Sequence, residues 1–346
     1  VSEYDADSDG RLHSLAPAQQ DYSTEWAQRY HQSYVQQLEA RPYLSGFAVW
    51  NSFDFGSETR GESVPHMNKK GLFTFDRHSS FGKGPVLHIA TREWARRTGT
   101  NMRATPNEAI QSVSQPVEVY SNLPAVELLL DGKTLGVKQF GKLHVGKWDV
   151  PFHDGANHLE ARGQSDGKQL TDSTDVRFVY RAPRLMNSAR PFVLLAVNVG
   201  SSSQFTDAAG LTWEADQAYS PGGWGYVGGS EDNTALNVLG TEDDPLYRTF
   251  RRSLKEYRFD VPDGNYEVEL RFVEPGVESK VTRVFSITMN EKTLIDKLDL
   301  VRTVGSLRAA ARTVQASAAG GNGIDLHFQQ ISGETLLSAI RIQRLP

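Results

Sequence analysis

From about residue 100 to the C-terminus, apolar side chains fall at every second position in short runs separated by turn dipeptides. More than any other feature, this alternation limits the folds open to the chain. Val117-Glu118-Val119-Tyr120 and Val126-Glu127-Leu128-Leu129-Leu130 read as strands, and Asp131-Gly132 reads as a hairpin turn. Trp148-Asp149-Val150 and Val176-Arg177-Phe178-Val179-Tyr180 continue the pattern, with Asp154-Gly155 and Asp166-Gly167 between them. A period of two buries one face of each strand, so an all-β sandwich of about eighty residues is expected. Pro183 and Asn187-Ser188-Ala189-Arg190-Pro191 read as a linker. A second sandwich follows, opening with Phe192 to Val199 and continuing at Tyr257–Val261, Tyr266–Phe272 and Val284–Met289, with turns at Asp263-Gly264 and Asn290-Glu291. Residues 200–250 are rich in Gly, Ser and aromatics without clean period and are expected to form long loops at one end of it; Ala309 to Gly323 is read as a further loop.

The first hundred residues follow another grammar. Ser23 can cap a helix whose apolar positions Trp26, Tyr30, Tyr34 and Leu38 recur every four residues, and Pro42 closes it just after Ala40. Tyr43 to Trp50 is a nearly continuous apolar run of strand length, as expected of a parallel strand buried on both sides. A helix followed by a buried strand is α/β organisation. Such folds place their chemistry at the carboxyl ends of strands, here Trp50-Asn51-Ser52-Phe53-Asp54-Phe55. Val1 opens directly on a strand-like run, as a chain that starts inside a domain would.

With 37 basic against 42 acidic side chains and a net charge of −5, no cationic excess is available to neutralise a phosphate backbone or an anionic bilayer, so neither nucleic acid nor membrane is an expected partner. No apolar run approaches the roughly 20 residues that span a bilayer, and the first residues do not read as a signal peptide. The absence of cysteine excludes thiolate catalysis, Cys-ligated zinc and disulfides, and suits an exported bacterial protein, periplasmic or secreted.

Two motif matches do not hold. Asp5-Ala6-Asp7-Ser8-Asp9-Gly10 begins like a calcium loop, but its twelfth position is Ala16, where a bidentate Glu is required. Gly223-Trp224-Gly225-Tyr226-Val227-Gly228 satisfies the dinucleotide fingerprint, yet it follows Ser220-Pro221 and opens no helix to hold a pyrophosphate. Glu3 is the sharper case. A carboxylate at a strand's carboxyl end, beside a Tyr4 hydroxyl that could orient it, is what a retaining glycosidase needs for a nucleophile, although a hydrogen-bonded structural carboxylate has the same spacing.

In order and spacing, Ser2-Glu3-Tyr4, the helix with Tyr30-His31, Arg41-Pro42-Tyr43-Leu44-Ser45-Gly46, Val49 to Phe55, Met67-Asn68-Lys69-Lys70-Gly71-Leu72 and Asp76-Arg77 resemble the last quarter of the catalytic barrel of glycoside hydrolase family 2, which includes β-galactosidases and β-glucuronidases. The resemblance implies that Glu3 is the nucleophile and that Trp50 forms part of the sugar pocket; a buried packing Trp is the alternative. It implies that Asn68 and Lys70 meet the far end of the sugar ring, where glucuronidases hold the uronate carboxylate, a pairing that does not by itself settle the sugar. His66 is a further candidate lining residue, and Tyr4 counts with the substrate-binding set. Two departures stand out. Asp5 replaces the family's usual Gly or Ala, and the aromatic helix expected after Asp76-Arg77 is shortened to His78–Gly84. The resemblance also places the earlier barrel strands and the acid/base Glu upstream of Val1, on polypeptide that would have to complete the site.

Residues around 100–182 resemble the immunoglobulin-like module that follows this barrel, through Trp148-Asp149-Val150-Pro151 and Gly155 to Ala161. Residues 190–346 resemble malectin-type domains through Val197-Asn198-Val199-Gly200, Phe205-Thr206-Asp207, Gly210 to Asp216, Gly264-Asn265-Tyr266 and Arg283-Val284-Phe285. On that likeness Tyr219, Trp224, Tyr226 and Tyr247 are candidates for stacking on sugar faces. The expected architecture is therefore the C-terminal portion of a (β/α)8 TIM barrel at 1–98, an immunoglobulin-like sandwich at 99–183 and a malectin-like, carbohydrate-binding sandwich at 184–346. The expected activity is a retaining exo-β-glycosidase acting on terminal β-galactosides, with β-glucuronidase as the alternative and a non-catalytic carbohydrate-binding module as a reading of another class. The mechanism asks for no metal or organic cofactor, and homo-oligomerisation is left open.

Overall fold

The computed structural model describes residues 3–19, 21–58, 64, 66–72, 86–90, 94–100, 112–187, 189–276, 283–289 and 292–346. The chain forms two compact units, one from the described residues up to Arg181 apart from Val64, the other from those between Ala182 and Pro346 together with Val64.

In the first unit the predicted helix is present at Thr24–Glu39. The Ser23 hydroxyl accepts from the Trp26 amide at 3.1 Å, and the Ala40 and Arg41 amides close the last turn on Gln36 and Leu38 before Pro42. Its inner face packs on Tyr4, whose ring stacks on Tyr34 at 4.8 Å and meets His31 edge-on at 5.5 Å. Tyr4 in turn pairs in parallel with Val49: its amide bonds the Ala48 carbonyl at 3.1 Å and its carbonyl accepts from Trp50 at 3.0 Å. The Asn51 amide then bonds the Lys70 carbonyl at 3.1 Å and the Asn51 carbonyl accepts from Leu72 at 2.9 Å, the staggered pattern of a second parallel pairing. Strand, helix and strand thus make one crossover with a third parallel neighbour.

This differs from the expected fully buried strand. Only Val49 of Tyr43–Trp50 makes a bridge, and Tyr43 and Trp50 are 77% and 42% exposed. The helix covers the face that carries Tyr4. A closed barrel is not present in these three short parallel segments, and Val1, Ser2 and 73–85, with the Asp76-Arg77 and His78–Gly84 expectations, lie outside the described residues.

The same unit contains the expected sandwich. One sheet pairs Leu87–Ile89, Val113–Ser121 and Val145–Phe152; the other runs Arg96–Thr100, Lys168–Arg181, Gly155–Ser165, Ala125–Leu130 and Lys133–Gln139. Phe152 of the first sheet stacks on Phe178 of the second at 5.5 Å. The sandwich draws in strands from residue 87 onward, earlier than the expected boundary at 99, because Arg96–Thr100 pairs in parallel with Arg177–Arg181 and closes its sheet.

The second unit is a sandwich of its own. One sheet orders Gln204–Thr206, Thr212–Ala215, Leu194–Asn198, Ala339–Arg344, Gly264–Phe272 and Ala310–Ala318, the facing one Trp224–Val227, Glu256–Phe259, Ile324–Ser332, Val284–Met289 and Lys292–Asp299. Two expectations are corrected here. Residues 200–250 hold short strands rather than loops alone, and Ala310–Ala318 is a full strand paired along Gly264–Phe272. Its inward positions Ala310, Ala316 and Ala318 are small, which hides the alternation from a reading that looks for large apolar residues.

Candidate active-site face

Side chains alternate across a strand, so the pairing of Tyr4 with Val49 sorts the candidates by face. Tyr4 points to the helix, where burial pushes its hydroxyl pKa up. The expectation that Tyr4 orients Glu3 or touches substrate is therefore corrected: its neighbour Glu3 lies on the opposite face and is exposed. In this pairing Asp5 stands opposite Trp50 and Glu3 opposite Ala48. Lys70 Nζ lies 3.0 Å from Asp5 Oδ2, and Asp5 is also close enough to the helix to act on Tyr30 and His31.

The loop carrying Lys70 is pinned from behind. The buried Asn68 accepts the Lys70 amide on Oδ1 at 3.2 Å, in the short hairpin pairing Phe55–Gly56 with Met67–Asn68. The buried Asp54 carboxylate accepts the Gly71 amide at 2.9 Å and holds Lys69 Nζ at 3.4 Å. Asn68 thus serves the site through the backbone of Lys70, its own side chain being enclosed. His66 sits exposed at the hairpin turn with Nδ1 3.0 Å from the Glu58 carbonyl. Trp50 lies edge-on to Phe55 at 6.4 Å and keeps open ring surface, as a sugar platform requires and a buried packing Trp would not. A cavity of about 750 Å³ lined by His31, Gln32, Val35, Asp54, Lys70 and His144 does not include Glu3 or Trp50. The carboxylate and indole face outward instead.

The segment offers an exposed carboxylate at Glu3, an exposed indole at Trp50 and a cation at Lys70, residue types that can attack and orient a sugar. Sequence reasoning gives Asp54 no role and Asp5 only that of an added charge. Neither partnership can be found from spacing, because each carboxylate lies far along the chain from the lysine it meets.

The sandwich candidates fare differently. Trp224 and Tyr226 sit on one strand and pack against the core of their unit, and Tyr226 covers the Arg251 guanidinium at 3.3 Å. The Tyr219 hydroxyl donates to Asp260 at 2.9 Å while Arg258 lies 5.3 Å from its ring. Tyr247 is corrected as a stacking residue: it lies in the short helix Pro245–Arg248 at 5% exposure. Its ring reads as a loop aromatic in sequence because no periodicity marks so short a helix. The rejected motifs also find their places: Asp9 of the acidic run takes Arg11 at 2.8 Å, and the Gly223–Gly228 run becomes a strand. Among the described residues, Glu256, Asp325 and His327 bring potential metal-ligand atoms within 4.8 Å of one another, but both carboxylates already bond Arg258.

Comparison with known proteins bears on both units. Residues 193–342 match the Malectin domain family, and residues 113–171 match a domain family of unknown function, DUF4982. A crystal structure of Bacteroides uniformis beta-glucuronidase matches 100% of this chain at 36% identity and a TM-score of 0.90, over 41% of its own length. A putative beta-glucuronidase of Formosa agariphila is 31% identical over 151 residues, which is 38% of this chain and 17% of that protein. Malectin-B of Xenopus laevis is 31% identical over 119 residues, 33% of this chain and 41% of that protein. The chain thus spans less than half the length of each of these relatives.

Proposed function

We propose, for a chain that is similar throughout to the C-terminal region of family 2 β-glucuronidases and ends in a malectin-like domain, that it supplies the nucleophile side of a retaining exo-β-glucuronidase. The observation that carries this reading is the match of the whole chain to the Bacteroides uniformis enzyme, with Glu3 and Trp50 exposed on adjacent parallel segments. The sugar differs from the galactoside expected on sequence, because solved structures matched over 100% of this chain at 36% identity are named for glucuronide. A related structure, at a TM-score of 0.90, holds a Bacteroides uniformis beta-glucuronidase covalently bound to cyclophellitol-6-carboxylate aziridine, which supports both a covalent route and a carboxylate-bearing sugar.

In this mechanism Glu3 attacks the anomeric carbon and the aglycone leaves, protonated by an acid Glu carried on the earlier barrel strands. Water, deprotonated by that same Glu, then releases the sugar with retention. The two carboxyl groups must stand about 5–5.5 Å apart. The exposed face around Trp50 is where the remaining strands would pack. Trp50 stacks on the pyranose, and Lys70 donates to the C6 carboxylate. The expected test result is an adduct: a uronic-configured aziridine applied to the full-length polypeptide, followed by peptide mass spectrometry, labels Glu3, and Glu3→Gln loses at least about a thousandfold in kcat. Labelling of any other residue sinks the reading. The non-catalytic alternative keeps support from the Malectin match alone. It predicts binding of oligosaccharide by residues 182–346 without turnover by the full polypeptide.

A further inference from the structure

We propose that Asp5 sets how strongly this site distinguishes sugars with a carboxylate from sugars without one, by holding Lys70 in an ion pair before any sugar arrives. The inference rests on the glycosidase reading above and concerns Asp5, an acidic residue two positions from Glu3 that the reading leaves without a task.

The pair is built into the backbone rather than formed by two loose surface side chains. Asp5 follows Tyr4, whose ring is stacked against Tyr34 and whose amide and carbonyl are both bonded to the Ala48–Trp50 segment. The Lys70 amide is held by Asn68 and its carbonyl by Asn51. The two charged groups meet at 3.0 Å with side chains only 18% and 29% exposed, for Lys70 and Asp5 respectively, so water screens them less than a surface pair. Asp5 lies two positions from Glu3 along the chain, and Lys70 lines the neighbouring cavity of about 750 Å³.

The chemistry follows from the donor inventory of an ammonium group. Lys70 has three N–H donors, and Asp5 takes one and neutralises the charge. A neutral sugar can then occupy the site without leaving a half-buried cation unpaired, a state that would cost binding. A uronate gains less than it would from a bare ammonium, because the cation is already compensated and Asp5 repels the incoming carboxylate. Asp5 therefore narrows the gap between glucuronide and galactoside. It is a positioning residue acting through Lys70, since it does not itself touch the reacting atoms.

The test compares kcat/KM for nitrophenyl β-glucuronide and nitrophenyl β-galactoside in the full-length polypeptide. Asp5→Asn keeps the size and the hydrogen-bond acceptor but removes the charge. The ratio in favour of the glucuronide is expected to rise about tenfold, through a lower KM for the glucuronide together with a higher KM for the galactoside, which then leaves the Lys70 charge uncompensated. Asp5→Glu is expected to return the ratio toward wild type, and Asp5→Asn combined with Lys70→Met to abolish the rise. A merely structural role would lower both substrates together. An unchanged or reduced ratio in Asp5→Asn overturns the proposal. If wild type cleaves neither glycoside, the glycosidase reading has failed separately, and titration of wild type and Asp5→Asn with glucuronate then decides: tighter binding to the variant supports the ion-pair effect, and equal or weaker binding ends it.

Discussion

Arg251 and Asp216 show what burial does to a charge pair. Their side chains are 5% and 2% exposed and meet at 3.0 Å, and Asp216 also accepts from the Gly200 amide at 2.8 Å and the Tyr257 hydroxyl at 2.9 Å. Removing one partner strands the other in low dielectric, so Asp216→Ala is expected to cost the second unit about 3–5 kcal/mol, read as a lower urea midpoint at unchanged slope. Glu25 behaves differently. Burial pushes its pKa up, but the hydrogen bond and charge of His13, 3.1 Å away, and the Ser14 amide outweigh that and leave it below the ordinary value. The unfolded chain therefore binds this proton more tightly than the folded one. The stabilisation is complete above the unfolded carboxylate value, about 4.3, and disappears as pH falls through it toward the lower folded value. The unfolding free energy of wild type, from urea titrations, should drop across that window by about 1 kcal/mol more than that of Glu25→Gln. Neither partnership is legible in sequence, because Arg251 meets Asp216, and His13 meets Glu25, only after the chain has folded back on itself.

The helix Thr24–Glu39 is readable almost to the residue, since its signals are local: a hydroxyl before the first turn, apolar residues every four positions and a proline after the last. Ser23→Ala leaves the Trp26 amide without its partner and is expected to cost about 1 kcal/mol, measurable as a lower melting temperature. Strands with large inward residues are equally readable, as at Val284–Met289. The misreadings share a cause. Ala310–Ala318 buries alanines, too small to mark a period, and Tyr43–Trp50 is apolar without being enclosed, because burial of a parallel strand depends on neighbours that no local pattern specifies.

Among the described residues, the first unit brings the exposed Glu3 and Trp50 onto adjacent parallel segments, with Lys70 paired to Asp5 close by in the chain's fold. The glycosidase reading stands or falls on those residues. Lys70→Met should reduce glucuronide kcat/KM by about thirtyfold to a hundredfold, the loss of a charge-assisted bond, while galactoside turnover changes less, and steady-state kinetics on both substrates separates the two cases. Glu3, Trp50, Asn68 and Lys70 are all accessible to motif reading. Their division of labour is not, since Asn68 is turned inward to the Lys70 amide and Tyr4 is turned to the helix.

Local propensity and period are enough to establish an α/β beginning, two β-sandwiches and a short list of polar residues at strand ends, because helix caps, alternation and turn dipeptides are written within a few neighbouring positions. The sheet pairing establishes which of those residues face one another. Asp5 reaching Lys70 across 65 positions, and Tyr4 excluded from the same face by a one-residue offset, depend on the register of parallel segments, and register is set by long-range hydrogen bonding that no short stretch of chain contains.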